Sequence, residues 1–225
     1  MTNKNIIIVY FIWININRDF LGIIGGQLDD INNCNILNEG KIFLVICNEH
    51  PHLNNQITDL VNNKLSGKEY EIEFHEDNKY EYYGIKKIYD SAVIFPEKTY
   101  LYMHSKGMWH GEDYHGRYID EISLTRTTIN NWGHVLDVFK DPNIARVGMF
   151  PGGDFVWFNF WWAKGSYLMT CQNPIISEDR YYYETWLGTG DNSNNLKTYN
   201  LDESNFNSFE PFGACAKLRS MRGRF

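Results

Sequence analysis

Two hydrophobic periods take turns along the first hundred residues. Residues 6–14 form an unbroken, largely β-branched apolar run, the pattern of a strand buried on both faces. Residues 41–47 (KIFLVIC) repeat that pattern, 70–74 alternate as a short strand, and 99–103 make a fourth that ends at His104. Helical stripes lie between them. Asp19 is placed to cap a helix reaching about residue 36, weakened in its middle by Gly25 and Gly26. Ile57, Leu60, Val61 and Leu65 share one face of a helix over 54–65, and 82–94 reads as a third. Strands alternating with helices predict an α/β fold with a mainly parallel, Rossmann-like central sheet flanked by helices. Ligands of such sheets bind beyond the carboxyl ends of the strands. That rule singles out Tyr10 and Phe11 on the first strand, Asn48 and Glu49 after the second, Asp77 and Asn78 after the third, and His104, Ser105 and Lys106 after the fourth.

The second half has a different texture. Residues 119–140 read as one long helix, or two broken near Asn130 and Asn131, followed by a strand over 145–150 closed by Pro151, Gly152 and Gly153. An aromatic block (FVWFNFWW, 155–162) comes next, then a short helix over 178–187 and a loop-rich remainder. With no flexible linker between the halves, residues 1–225 are expected to form one domain of two lobes, about 1–106 and about 107–225.

Composition narrows the function classes. A net charge of −7 argues against a broad nucleic-acid footprint, although Lys217, Arg219, Arg222 and Arg224 make a basic tail without an acid. The run at 6–14 is too short to span a bilayer and lacks a cleavage site, so no membrane span or signal peptide is expected. Four widely spaced cysteines contain no Cys-x-x-Cys pair, which points to reduced thiols in the cytoplasm. Aromatic residues reach 16 %, enough to supply flat faces for stacking on sugars as well as a bulky core.

Three blocks carry candidate chemistry. In YLYMHSKG (100–107) a strand delivers His104, Ser105 and Lys106 to the sheet edge, and Lys106 is a cation where α/β folds take phosphate. In 151–167, Trp157, Trp161 and Trp162 offer stacking faces, while Asp154 and Asn159 are able to read hydroxyls. In RYYYETWLG (180–188), Glu184 lies among Tyr181, Tyr182, Tyr183 and Trp186, where desolvation raises a carboxylate toward a general-base range. Each block also has a plain structural reading: a strand turn with a solvated lysine, a core strand, and an Arg180–Glu184 helix pair worth roughly 0.3–0.5 kcal/mol. A fourth cluster, His104, His110, Asp113 and His115, holds ligand-type residues at a spacing that matches no tight zinc pattern.

Taken in order, YLYMHSKGMW, Trp132 in its helix, RVGMF, WFNFWWAKGSYL and DRYYYETWLG resemble a glycosyltransferase family of large DNA viruses and some bacteria. The resemblance covers about residues 6–188 and is strongest from Tyr100 onward. It implies a GT-A-like fold, with a nucleotide-sugar half joined to an acceptor half, and cytoplasmic location, in a host if viral. It further implies transfer of a sugar from a UDP- or GDP-sugar to a glycan or glycoprotein hydroxyl, by this chain alone or as one domain of a larger protein. Glu184 would be the general base of an inverting displacement, with Asp154 second choice, and Trp157, Asn159, Trp161, Trp162 and Trp186 would face the acceptor sugar. Lys106, His104, Ser105, Arg180, Tyr10, Glu49, Asp77 and Asn78 would hold the donor. The chain departs from the family pattern in having no Asp-x-Asp, the metal-holding motif of such enzymes; His104-Ser105-Lys106 stands at that position. Two versions follow: transfer without metal, with Lys106 neutralising the diphosphate, or a divalent ion (manganese or magnesium) held through His104 with Asp77 or Asp154. A GT-A-like module that only binds carbohydrate or nucleotide is the alternative.

Overall fold

A computed structural model describes residues 4–106, 108, 117–152, 155–179, 181–191 and 196–201. Seven strands form one sheet: β1 (Ile6–Trp13), β2 (Gly40–Cys47), β3 (Tyr70–His75), β4 (Thr99–His104), β5 (Ile144–Gly148), β6 (Trp161–Lys164) and β7 (Lys197–Asn200), in the order β3-β2-β1-β4-β6-β5-β7. The first four are mutually parallel, β6 runs antiparallel to both β4 and β5, and β7 pairs parallel with β5. The architecture is therefore α/β with a mostly parallel mixed sheet, compatible with a Rossmann-like fold. The helices are α1 (Phe20–Asn33), α2 (Asn54–Lys64), α3 (Tyr82–Ile94), α4 (Ile119–Asn130), α5 (Trp132–Val138), α6 (Gly165–Leu168) and α7 (Tyr181–Thr185). None of the described helices is long and apolar enough to cross a membrane.

Alternate residues of β1 feed two cores. Ile6, Ile8, Tyr10 and Ile12 pack with α1, α2 and α4 on one face, whereas Ile7, Val9 and Phe11 pack with α3, α6 and α7 on the other. This explains the continuous apolar run, since both faces of the strand leave water. Asp19 caps α1 by accepting from the Gly22 N–H at 2.9 Å. The long helix of 119–140 is two helices, α4 and α5, that meet at Asn131. Within the helix read over 178–187, α7 spans Tyr181–Thr185, and Asp179 accepts from the Tyr181 N–H at 2.9 Å. The four-residue strands β6 and β7 are too short for periodicity to reveal them.

A buried polar seam joins α1 to α4. Arg117 makes a two-pronged pair with Glu121, its Nε at 2.8 Å and its NH2 at 2.6 Å, and its NH1 sits 2.7 Å from Asp30. Gly26 makes the room: a Cβ there would lie 2.4 Å from the Arg117 side chain. Thr125 donates to Glu121 at 2.9 Å, and Gln27 in turn donates to Thr125 at 3.1 Å and to the His104 carbonyl at 3.3 Å. The Tyr10 hydroxyl donates to Gln27. Glu121 is 0 % exposed, and removing its carboxylate takes away the two-pronged partner of the Arg117 guanidinium in a buried seam, leaving it the Asp30 contact. Glu121→Ala is expected to lower the unfolding free energy by about 3–5 kcal/mol. Urea denaturation measures it, and a loss under about 1 kcal/mol would contradict the seam's structural weight.

Candidate functional site at the end of the fourth strand

The chain leaves β1 toward β2 and β3 on one side, while β4 continues to β6 and β5 on the other. The carboxyl ends of β1 and β4 thus flank the point where strand order reverses, the usual crevice of an open α/β sheet. Ser105 stitches those ends together. Its N–H donates to the Phe11 carbonyl at 2.9 Å, and its Oγ accepts from the Trp13 N–H at 3.0 Å. Asn15 adds a bond to the Met108 carbonyl at 2.8 Å. Ser105 is therefore a buried strut and not an open donor contact.

His104 follows Met103 out of the core and stays largely enclosed. Its Nε2 lies 2.9 Å from the Phe158 carbonyl, which makes that nitrogen the N–H donor. Its ring packs on Phe160 with centroids 5.0 Å apart. Burial pulls the imidazole down to about 3 and Lys106 pushes the same way, while the Phe158 carbonyl and the Glu184 carboxylate act in the opposite direction. The imidazole is therefore held toward its neutral form at physiological pH. Lys106 extends its ammonium over the Phe158 ring, 4.8 Å from the centroid. Glu184, half-buried on α7, follows Tyr183, whose carbonyl accepts from Asn159 at 3.1 Å.

The turn that supplies the Phe158 carbonyl is strained. Phe158 and Asn159 have φ of 67° and 56°, left-handed values that cost a residue with a Cβ roughly 1–2 kcal/mol each. Strain of this kind persists only where neighbours over-determine the backbone, and it concentrates at functional sites. The over-determination comes from Asn159, 1 % exposed, whose amide donates to Glu81 at 2.8 Å and accepts from the Trp161 indole at 2.7 Å. Sequence reasoning missed Glu81 altogether. Its only early signal is its place just before α3, after a strand end.

The remaining predicted residues divide sharply. Trp161, Trp162 and Trp186 are fully buried, their indoles donating to Asn159, the Thr128 carbonyl and the Gln172 carbonyl, so they present no stacking face to a sugar. Both sides of β6 are covered by helices, and alternation therefore buries both tryptophans. Trp157 and Phe158 remain half-buried at the turn. Asn159 reads protein groups, not a ligand. Tyr10 points into the α1 core toward Gln27. Asn48 is buried in a turn, donating to Asn54 at 2.7 Å and accepting from the His50 N–H at 3.0 Å. Glu49, Asp77 and Asn78 are exposed beyond β2 and β3, where Glu49 and Asp77 both raise the Cys47 thiol, pushed up to about 12 chiefly by burial. Asp77 accepts from the Tyr83 hydroxyl, which holds its carboxyl below the usual range, and the Tyr83 ring stacks on His75 at 3.6 Å. Asp154, Arg180, His110, Asp113, His115 and the basic tail lie outside the described residues.

The metal expectation meets the same division. β3 lies three strands from β4, roughly 14 Å at the usual spacing, so His104 and Asp77 are not brought to one ion. Among the described residues no group of three or more His, Cys, Asp or Glu side chains is disposed to hold a metal. Asp154, the other partner expected for His104, lies outside the described residues. No protein-family model matches the chain, and no curated protein matches it in sequence.

The depressed imidazole makes a pH prediction. An unfolded histidine takes up its proton near pH 6.5, and His104 in the folded chain only near 3. Between those values the unfolded state binds more protons, so stability falls as pH is lowered through that window. His104→Gln keeps an N–H donor for Phe158 and removes the titration. Urea midpoints at pH 7 and pH 4.5 should drop further for the wild type than for His104→Gln; equal drops would mean that His104 is not held neutral.

Proposed function

We propose that this chain is a glycosyltransferase, moving a sugar from a nucleotide-diphosphate donor to a hydroxyl of a glycan or glycoprotein acceptor with inversion. The observation that carries the reading is that one turn, Phe158-Asn159, meets both candidates: the Lys106 ammonium lies 4.8 Å from the Phe158 ring centroid, and Asn159 bonds the carbonyl of Tyr183, the residue before the half-buried Glu184. The topology supports it as well, with a parallel half bearing Glu49, Asp77 and Asn78 at its outer strand ends and a mixed half supplying the turn and α7. A donor lying across these ends would set its nucleoside beside β2 and β3 and its diphosphate beside Lys106.

The residues divide the labour as follows. The acceptor oxygen attacks the anomeric carbon in line with the departing diphosphate. Its O–H bond breaks toward the Glu184 carboxylate, a new C–O bond forms, and the electron pair of the old one leaves on the diphosphate. Lys106 meets the negative charge that develops there, the term most valuable in a partly dry site. His104, too weak a base near 3 to compete for the proton, stays a neutral hydrogen-bonding wall. No step is assigned to a metal ion, because the described residues provide no ligand set.

Calorimetry with UDP- and GDP-sugars, followed by donor hydrolysis and transfer assays, tests the reading. Glu184→Gln should lower turnover about 10²-fold or more while donor affinity changes by less than about twofold. Lys106→Gln should weaken nucleoside-diphosphate binding about tenfold, the loss expected of one charge-assisted contact. Binding without any turnover would favour the module that only docks a ligand, and normal turnover in Glu184→Gln would remove that residue from the chemistry.

A further inference from the structure

Glu81 belongs to none of the blocks that pointed to the site, yet it closes a circuit behind it. One carboxylate oxygen, Oε2, accepts from the Tyr102 hydroxyl at 2.9 Å and from the Asn159 amide at 2.8 Å. Asn159 returns an acceptor to the Trp161 indole at 2.7 Å. Trp161 and Tyr102 are register partners across β4 and β6, and their rings stack with centroids 5.2 Å apart and planes 22° from parallel. The loop Glu81–Asn159–Trp161–Tyr102 thereby ties the start of α3 to two strands and to the left-handed turn. Gly84, one turn further along α3, permits the approach, since a Cβ there would sit 2.8 Å from the Tyr102 hydroxyl and 2.7 Å from Phe11.

We infer that Glu81 is a positioning residue: through Asn159 it holds Phe158 and Asn159 in their left-handed backbone, and so aims the Phe158 carbonyl at His104 and the Phe158 ring at Lys106. The chemistry of the group supports the role. A carboxylate is the strongest side-chain acceptor available, and two donors converging on one of its oxygens fix an amide more firmly than a neutral partner would. An asparagine with both ends of its amide committed in a buried site cannot flip or swing without leaving polar atoms unpaired. The turn cannot relax to right-handed values while that amide stays put. His104, at the end of β4, then keeps its Nε2–H tautomer toward the Phe158 carbonyl.

The inference takes its interest from the proposed transferase, but its test does not need that activity. ¹⁵N-histidine NMR of the full chain, with His104 assigned by its loss in His104→Gln, reads tautomer and protonation directly. The wild type should show one Nε2–H tautomer at pH 7. Glu81→Ala should release the turn, giving mixed tautomers as the Phe158 carbonyl leaves Nε2. Glu81→Gln, which keeps an acceptor oxygen, should restore the wild-type spectrum. If Glu81→Ala fails to fold, Asn159→Asp answers the same question, since it keeps the side chain's shape and removes the donor that meets Glu81. A folded Glu81→Ala or Asn159→Asp with an unchanged His104 signal would overturn the inference. Loss of transfer activity with an intact His104 signal would count against the proposed reaction instead.

Discussion

The bond from His104 to the Phe158 carbonyl is the contact on which the candidate site depends. It joins the last residue of a parallel strand to a turn from the other half of the chain, 54 positions later. Burial keeps the imidazole toward its neutral form against the pull of that carbonyl, and Lys106 lies over the ring of the same Phe158. The price is two left-handed residues with side chains, and Asn159's fully bonded amide is what makes that backbone persist.

The strand end is gripped from both sides of the sheet. On the α1–α4 side, Gln27 reaches the His104 carbonyl through a seam that continues to Thr125, Glu121, Arg117 and Asp30. On the other side, Glu81 and Asn159 fix the turn. Such rigidity would serve the proposed charge-stabilising chemistry, because dipoles already aimed need no reorganisation when charge develops. Both networks are built from single buried polar groups with named partners, so each depends on complete satisfaction of its hydrogen bonds.

The parallel half was legible because both faces of its strands leave water: the β-branched runs at 6–14 and 41–47 have no alternation to misread, and α3 was found at its full length over 82–94. The aromatic block was legible only in part. Its period of two is broken by the turn at Phe158, and β6 then sends Trp161 and Trp162 to opposite, equally covered faces, so rings that looked like a sugar platform are core. Ser105 and Asn48 follow strands as a binding residue would, but their polar atoms serve the backbone nearby. Glu81 was invisible because its meaning lies in Asn159, 78 residues away, and no local pattern encodes such a pair. Lys106 and Glu184 were visible as residue types, and only the fold gives them a common neighbour.

The proposed transfer requires the His104 ring, at the end of β4, to border a diphosphate site. Titration of UDP and GDP into ¹⁵N-histidine-labelled protein, watched at the His104 imidazole, measures it. A saturable shift of the His104 signal that weakens in Lys106→Gln is the predicted result. A signal indifferent to millimolar nucleoside diphosphate, with His104 still neutral and the protein folded, would contradict the account.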